Sequence, residues 1–241
     1  MRWLIAQYQP VGLFSLKIGE ATSTGGKSLI IPTPFAIRTA LLDAAIRVQG
    51  VNCGPQTFNS IKTLHLAVRP PKRAAVTSLF AKVLKPERDT DERGRAMQKT
   101  ISFREYVYLE GTLTLAIGGE QVHLNQVSPL LPHLTYLGKR GSFFQLLAPP
   151  EAVETADDAP PEGFVPLVAW NQATGTKTGP LTFPLGHVQR LDEWGADLTY
   201  EKANIYTSER IKIGRDRVRM DVVLHYRLVQ AGRGFVIYEC V

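Results

Sequence analysis

The feature that most constrains the fold is an amphipathic segment at residues 34–49 that lies between two segments of alternating polarity. Its apolar residues recur at the spacing of one buried helical face, at Ile37, Ala40, Leu41, Ala44, Ala45 and Val48. Thr33 is a suitable N-cap, Pro34 suits the first helical position, and Gly50 ends the pattern. We therefore predict an α-helix over residues 34–49.

Alternating apolar and polar residues predict strands before and after this helix. The predicted elements are, in order, a strand at 2–9, the helix, strands at 61–69 and 105–117 (the latter bent at Gly111), a short helix within 124–137, and a strand at 142–147. The order β-α-β-β-α-β is that of a ferredoxin-like or RRM-like domain of the α+β class. We assign residues 1–148 to this domain.

The stretch between the second and third predicted strands is too long for a hairpin connection and predicts an arm at about residues 70–103. Residues 69–104 hold ten basic and four acidic residues, an excess equal to the formal net charge of +6 of the 241-residue chain. Such a segment favours a polyanionic partner, most simply nucleic acid. A solvated surface loop is the alternative interpretation.

The remainder of the chain has a different composition. Residues 149–163 are acidic and proline-rich, without any basic residue, and predict an exposed linker. Residues 164–241 predict a small β-rich C-terminal lobe, in which 217–229 and 235–241 form a β-hairpin.

Several functional classes are not expected. No apolar run approaches the roughly 20 residues of a membrane span, and the N-terminus has no signal-peptide pattern. Cys53 and Cys240 lack metal or redox spacing, so we expect a cytoplasmic protein without metal or cofactor. Residues 21–28 loosely match a phosphate loop, but the prolines at 32 and 34 prevent a helix directly after Ser28, which argues against nucleotide hydrolysis.

The start of the predicted helix is a candidate anion site. Free backbone N–H groups and the positive end of the helix dipole lie there, and Lys27 and Arg38 are close in sequence. The alternative is a core helix behind an ordinary loop.

Four blocks, in this order, resemble the fifth CRISPR-associated (Cas-five) family of the RAMP superfamily. They are residues 10–14 with Pro32-Thr33-Pro34 and its alanine-rich helix, the second strand with the arm after it, Ser102-Phe103-Arg104-Glu105-Tyr106-Val107, and residues 132–142 with Tyr136-Leu137-Gly138-Lys139-Arg140. The resemblance implies a ferredoxin-like core that grips the 5′ handle of the guide RNA (crRNA) in a Cascade-type complex. It also implies an arm that packs on the neighbouring backbone subunit.

Carried onto this chain, the resemblance implies specific residues and partners. The RNA-binding candidates are Lys27, Ser28, Arg38, Arg104, Tyr106, Lys139, Arg140 and Ser142. The arm candidates are Lys72, Arg73, Lys82, Lys85 and Arg88, with Leu79 and Phe80 as wedging or packing residues. Arg104 paired with a nearby acid and Tyr106 in the core remain alternatives. The implied partners are crRNA, the backbone and large subunits of a CRISPR effector complex, and target DNA in the assembled complex; no membrane is implied.

Some members of the family cleave precursor guide RNA, a reaction that uses residues such as His, Tyr and Lys. His133, near Tyr136 and Lys139, is the histidine with suitable neighbours in the sequence, and a surface turn histidine is its alternative role. We expect a non-catalytic RNA-binding subunit that acts in antiviral defence. The other hypotheses are a metal-independent endoribonuclease that processes precursor crRNA and a stand-alone RNA-binding module.

Overall fold

The computed structural model describes residues 1–17, 25–86, 97–139, 141–169, 186–204, 207 and 209–241. Within these ranges the strands, numbered β1 to β15 in chain order, are Arg2–Pro10, Leu16–Lys17, Gly25–Gly26, Ser28–Leu29, His65–Arg69, Arg73–Pro86, Met97–Glu110, Leu113–Gly119, Phe144–Leu146, Glu151–Glu154, Val165–Pro166, His187–Trp194, Arg217–Leu224, Tyr226–Gly232 and Phe235–Cys240. The α-helices α1 to α4 of the same ranges are Pro34–Gln49, Gly54–Lys62, Gln121–Val127 and Tyr200–Ala203. The protein is of the predicted α+β class.

The central sheet has the strand order of a ferredoxin-like domain. Its strands lie in the order β10, β1, β8, β5 and β11, and β9 pairs with the far end of β1. These pairings are antiparallel. If β1, β5, β8 and β9 are taken as the four strands of the motif, α1 follows the first and α3 follows the third. The predicted order β-α-β-β-α-β is confirmed.

One face of the central sheet packs against the helices and forms the main core. Because side chains alternate along a strand, Leu4 and Tyr8 of β1 lie on the same face. Both are buried in one cluster with Leu41 of α1 and Leu115 of β8. The Tyr8 hydroxyl donates to the carbonyl oxygen of Leu131 at 2.8 Å, so the polar atom of this buried side chain is satisfied.

Two strand predictions in the first half of the chain differ from the structure. The strand expected at 61–69 begins at His65, because the preceding residues complete helix α2, which buries Phe58 and Ile61. The single bent strand expected at 105–117 is two strands in different sheets, β7 and β8. Gly111 between them has a φ of +113°, a backbone conformation that glycine adopts without steric cost.

The second predicted helix is shorter than the window proposed for it. It begins at Gln121 and passes into a 3-10 helix at Ser128–His133. Pro129 and Pro132 lie in that segment, and proline removes the backbone donors that a continued α-helix would need.

The predicted arm is a long antiparallel hairpin of β6 and β7. Its register runs from Arg73 opposite Glu110 to Pro86 opposite Met97. At the base of the hairpin, one face is buried by Ala74, Val76, Val107 and Leu109. The same face continues into the outer half with side chains that are at least 36% exposed, Phe80, Leu84, Ile101 and Phe103. The arm is therefore an extension of a core face beyond the body of the protein.

The C-terminal segment is integrated with the arm. The predicted hairpin is present as β14 and β15, but its first strand begins at Tyr226, because Arg217–Leu224 is the separate strand β13 and pairs with β12. Strand β15 then pairs with β6, with Val236 opposite Val76, in a sheet ordered β14, β15, β6, β7 and β3. Residues 164–241 therefore do not form an independent lobe, since β11 pairs with β5 and β15 with β6, whereas β12 and β13 pair with each other.

Residues 149–163 also take part in the fold. Their side chains are largely exposed, as expected of a linker, but Glu151–Glu154 forms β10 and pairs with β1. Because β10 and β11 lie at opposite edges of the central sheet, the chain between them crosses it. Phe164, at the end of the crossing, packs against Trp3, Ala67 and Ala116 on the face away from the helices. This segment differs from a free linker because it covers that face.

Strands β12 and β13 attach to helix α1 through paired polar groups. The guanidinium of Arg38 on α1 forms a salt bridge with Glu193 of β12, with an Nε to Oε1 distance of 2.9 Å. Its other nitrogens donate to the backbone carbonyls of Ile61 and Leu64. The two charged side chains are only 9% and 18% exposed, so this ion pair is an interior link between the halves of the chain.

Loss of Arg38 should destabilise the fold strongly. Arg38→Ala leaves a partly buried carboxylate and two backbone carbonyls without their donor, and we expect the free energy of unfolding to fall by about 3–5 kcal/mol. Arg47→Ala on the same helix is the matched control, since its exposed pair with Asp43 is worth about 0.3–0.5 kcal/mol. Urea denaturation measures both variants. Equal losses for the two variants would contradict this account of Arg38.

Candidate nucleic-acid interface

Helix α1 begins and ends as the sequence predicts. The Thr33 Oγ1 accepts a hydrogen bond from the Ala36 N–H at 3.1 Å, and the Gly50 N–H donates to Ile46 at 2.9 Å. Arg38, however, is turned into the protein, where its guanidinium is bonded to Glu193 and to backbone carbonyls. The prediction that Arg38 binds a handle phosphate is therefore corrected, because its donors are buried and engaged.

Ser28 and Ser142 are also structural. Ser28 is 7% exposed, and its Oγ accepts from the Leu16 N–H and donates to the Leu29 carbonyl. Ser142 is 2% exposed, and its N–H donates to the carbonyl of Lys139, which closes the turn after Gly138. Burial removes both hydroxyls from solvent. Their prediction as phosphate ligands is corrected to a role in shaping the two loops.

The other predicted residues have mixed surroundings. Lys27, Lys72 and Lys82 are exposed, whereas Arg73 pairs with Glu239 at 3.2 Å. Arg88, Arg140 and the side chain of Lys85 lie outside the described residues.

Three cations from distant parts of the chain lie close enough for their charges to interact, and we call them the basic cluster: Lys17, Arg104 and Lys139. Partial burial lowers the pKa of Lys139 below its usual range, and the positive charges of Arg104 and Lys17 lower it further. Within the described residues, Lys17 and Lys139 have no carboxylate at salt-bridge distance, and Arg104 Nε donates to the Ser102 hydroxyl. The cluster therefore carries positive charge that an anion would stabilise.

Local structure explains how the cluster forms. Lys17 lies opposite Ser28 in the short pair of β2 and β4, Arg104 lies on β7 beside Gly26, and Lys139 follows Gly138 at a turn. Gly138 has a φ of +84°, and a Cβ there would lie 3.0 Å from the Leu16 side chain. Glycine thus allows the loop to approach β2 closely.

Lys17 was not among the residues predicted from the sequence. The segment around Lys17 has little apolar alternation, so its sequence does not predict a strand. Its pairing with Ser28, eleven residues further along the chain, is not indicated by any local pattern. The one available signal was its place next to Leu16, which is buried in the core.

Strand alternation assigns the predicted arm residues to two faces. Leu79 lies directly opposite Arg104, and Thr77 lies opposite Tyr106, so these four side chains share one face. Phe80 is opposite Phe103, with ring centroids 4.7 Å apart, and belongs to the other face. Leu79 and Phe80, predicted to act together, therefore point in opposite directions. Tyr106 is half-buried on the face of Arg104.

A groove of about 510 Å³ opens beside the basic cluster. Helix α1 contributes an apolar wall that includes Ala36 and Ala40, and Tyr136 and Lys139 line the facing loop. Asp43 on α1 accepts from Arg47 at 2.8 Å and from the Tyr136 hydroxyl at 3.4 Å through its Oδ2. The groove thus combines an apolar interior with a cationic edge.

The surroundings of two histidines bear on the alternative of RNA cleavage. His133 is exposed on its 3-10 helix, and its backbone carbonyl accepts a hydrogen bond from Arg47. The Nε2 atom of His187 lies 2.7 Å from the side-chain amide nitrogen of Gln189. Because the Gln189 Oε1 accepts from the Ile30 N–H, the Gln189 amide nitrogen is the group that donates to the imidazole Nε2. Burial, and then Lys27, lower the pKa of His187, which favours the neutral imidazole. Its Nε2 lone pair is occupied and cannot readily accept a proton.

The described residues also bear on metal sites and membrane spans. No cluster of three His, Cys, Asp or Glu side chains among them is arranged to hold a metal ion. None of the described helices is both long and apolar enough to cross a membrane.

The fold defines the class as a ferredoxin-like α+β protein with a β-hairpin arm, and its basic cluster is suited to a polyanion. Over 170 residues the chain is 26% identical to the CRISPR-associated protein Cas5 of Archaeoglobus fulgidus. The aligned residues make up 70% of this chain and 71% of that protein. The resemblance to the Cas-five family is confirmed. No family model matches the sequence.

Solved structures of CRISPR proteins superpose on the chain at low TM-scores. A crystal structure of a CRISPR protein from Archaeoglobus fulgidus has a TM-score of 0.45 and 11% identity, covering 100% of this chain and 92% of that one. A chain of the Type III-B Cmr-beta complex, bound to cognate target RNA and AMPPnP, has a TM-score of 0.40 and 11% identity, covering 98% and 86%. A chain of a CRISPR RNA-guided surveillance complex has a TM-score of 0.37 and 19% identity, covering 58% and 59%.

The basic cluster predicts the effect of removing Lys139. Lys139→Ala should weaken binding of single-stranded RNA about tenfold, the effect of losing one charged contact of about 1.5 kcal/mol. Fluorescence anisotropy of a labelled RNA measures the affinity at fixed salt. Arg2→Ala, near the opposite end of β1 from the Lys139 loop, is the control and should bind like the original chain. Equal affinities for both variants would remove Lys139 from the interface.

Proposed function

We propose that this protein is a non-catalytic RNA-binding subunit of a CRISPR RNA-guided effector complex, and that it holds the 5′ handle of the crRNA. The observation that carries the proposal is the basic cluster, where Lys17, Arg104 and Lys139 are brought together from three segments. The similarity to a protein named Cas5 supports the CRISPR context.

The electrostatics of the cluster favour RNA phosphate as its ligand. Partial burial, and then the positive charges of Arg104 and Lys17, lower the pKa of Lys139, and a bound anion would offset the unfavourable proximity of these like charges. Single-stranded RNA supplies successive phosphates that can contact several cations at once, with release of counterions. On the same face of β7, Tyr106 is half-buried and adds an aromatic ring next to Arg104.

The other face of the arm supports a protein partner. Phe80 is 77% exposed and Ile101 is 60% exposed on the continuation of the buried face. A contiguous patch of solvent-exposed apolar side chains is typical of an interaction site. We assign this face, which also carries Lys82 and Lys99, to the neighbouring backbone subunit. The arm then contacts protein with one face and approaches RNA with the other.

The geometry of the histidines supports a non-catalytic role over an endoribonuclease. Cleavage by a 2′-hydroxyl needs a base with a free lone pair near groups that stabilise the phosphorane. The imidazole of His187 has its Nε2 occupied, and that of His133 has no hydrogen bond to Tyr136 or Lys139 within the described residues.

The proposal is tested by purification from the native host. Affinity purification of the tagged chain should recover repeat-derived RNA together with other subunits of a CRISPR complex. The purified chain, incubated with repeat RNA in EDTA, should retard the RNA and leave it intact. Recovery of the chain without RNA or protein partners would contradict the assignment, and cleavage in EDTA would establish the endoribonuclease instead.

The two faces of the arm predict separable defects. Replacing both Phe80 and Phe103 by Ser should remove the apolar contact with the neighbouring subunit and cost about 2 kcal/mol or more of assembly energy. Binding of RNA by the isolated chain should stay within about twofold, since Arg104 lies on the opposite face. Val122→Ser on α3, also exposed, is the control. Co-purification and RNA anisotropy give the two readouts, and the reverse pattern would overturn the assignment of faces.

A further inference from the structure

The groove beside the basic cluster has features that phosphate binding alone does not require. A phosphate contact needs exposed cations, and Lys17 and Lys139 supply them at the edge. The interior behind them is mostly apolar and has a volume of about 510 Å³, within the roughly 300–1,000 Å³ typical of small-molecule sites. An occupant with an anionic end and a flat, mostly apolar body matches this division.

We propose that the groove binds one unstacked nucleobase of the RNA and prefers a base that carries an exocyclic amino group. The inference rests on the proposed RNA-binding function and adds a base-reading site to it. The phosphate of the same nucleotide contacts Lys17 or Lys139, and the base enters between α1 and the loop that carries Tyr136.

The aromatic residues of the groove suit a base. Phe35 and Tyr136 both line it, and the guanidinium of Arg217 lies 4.4 Å from the centre of the Phe35 ring. Aromatic rings and guanidinium planes are the side-chain groups on which unpaired bases stack in RNA complexes. The side chains of Ala36 and Ala40 on α1 are small, so the groove is wide enough at this point to admit a base.

The polar groups of the groove supply the preference. Asp192 is paired with Arg217, so its carboxylate is engaged. Asp43 uses Oδ2 for Arg47 and Tyr136, and Oδ1 accepts no hydrogen bond from any described residue. A carboxylate oxygen accepts from the amino groups of cytosine, adenine and guanine, whereas uracil has none. The fixed position of Asp43 on a helix, held through Oδ2, orients this acceptor.

The charge at the edge favours RNA over a protein side chain as the occupant. Arg47 is neutralised by Asp43 and Arg217 by Asp192, which leaves Lys17 and Lys139 with no ion pair among the described residues. An apolar side chain of a partner protein would fill the interior and leave both ammonium groups uncompensated. A nucleotide compensates them and fills the interior in one binding event.

The experiment uses the full chain and oligouridine RNAs that carry one variable nucleotide. The unmodified chain should bind RNA with a single A, C or G about tenfold more tightly than the all-uridine RNA, as expected for one good base contact. Ala36→Phe, which fills the groove, should abolish this preference. Gln49→Phe, at the exposed end of the same helix and outside the groove, is the matched control and should retain it.

Asp43→Asn supplies a readout that depends on hydrogen-bond chemistry. An amide in place of the carboxylate exchanges one acceptor for a donor, so the preference for amino-bearing bases should collapse. Because the loss of the Asp43 charge leaves Arg47 uncompensated, binding of the all-uridine RNA should stay the same or become tighter. Retention of the full preference in both Asp43→Asn and Ala36→Phe would overturn the inference.

The outcomes separate this inference from the proposed function. If the unmodified chain binds none of the RNAs and purifies without RNA, the proposed function fails. If it binds all of them equally and Ala36→Phe matches it, the groove does not read a base, although the RNA-binding function stands. If Ala36→Phe keeps RNA affinity but loses a co-purifying protein, the occupant is a protein side chain and the inference is overturned.

Discussion

The antiparallel pairing of β6 with β7 is the interaction on which the rest of the structure depends. Its inner half closes the core through Val76 and Val107, and its edges receive β15 on one side and β3 on the other. Its outer half extends beyond the body of the protein with one apolar face. Because neighbouring residues of a strand face opposite sides, the same register also places Arg104 on the face opposite Phe103.

The positive charge of this chain has two distinct uses, and burial distinguishes them. Arg38 is a cation of the interior, where Glu193 and two backbone carbonyls surround it, and it connects α1 with β12. Lys17 and Lys139 are cations of the surface, and in the described structure no acid compensates them. Buried pairs hold the fold together, whereas uncompensated exposed charge is available to a ligand.

Much of the fold could be predicted because its signals are local. Thr33, Pro34 and Gly50 define a helix by capping chemistry alone, and the order of alternating segments defined the ferredoxin-like arrangement. The candidate site was harder to predict, because its residues are brought together by pairing between segments that are distant in the sequence. Nothing near Arg38 in the sequence reveals Glu193, and nothing near Lys17 reveals Lys139. For the same reason the attachment of β15 to β6 was not foreseen.

The central claim is that Lys17, Arg104 and Lys139 form one RNA-binding cluster beside the groove. Its most direct test is the salt dependence of RNA affinity for the original chain and for the triple variant Lys17→Ala, Arg104→Ala and Lys139→Ala. For three phosphate contacts to a single strand, the slope of log affinity against log salt should become shallower by about 2 in the variant. An unchanged slope would contradict the account, because it would mean that these cations release no counterions when RNA binds.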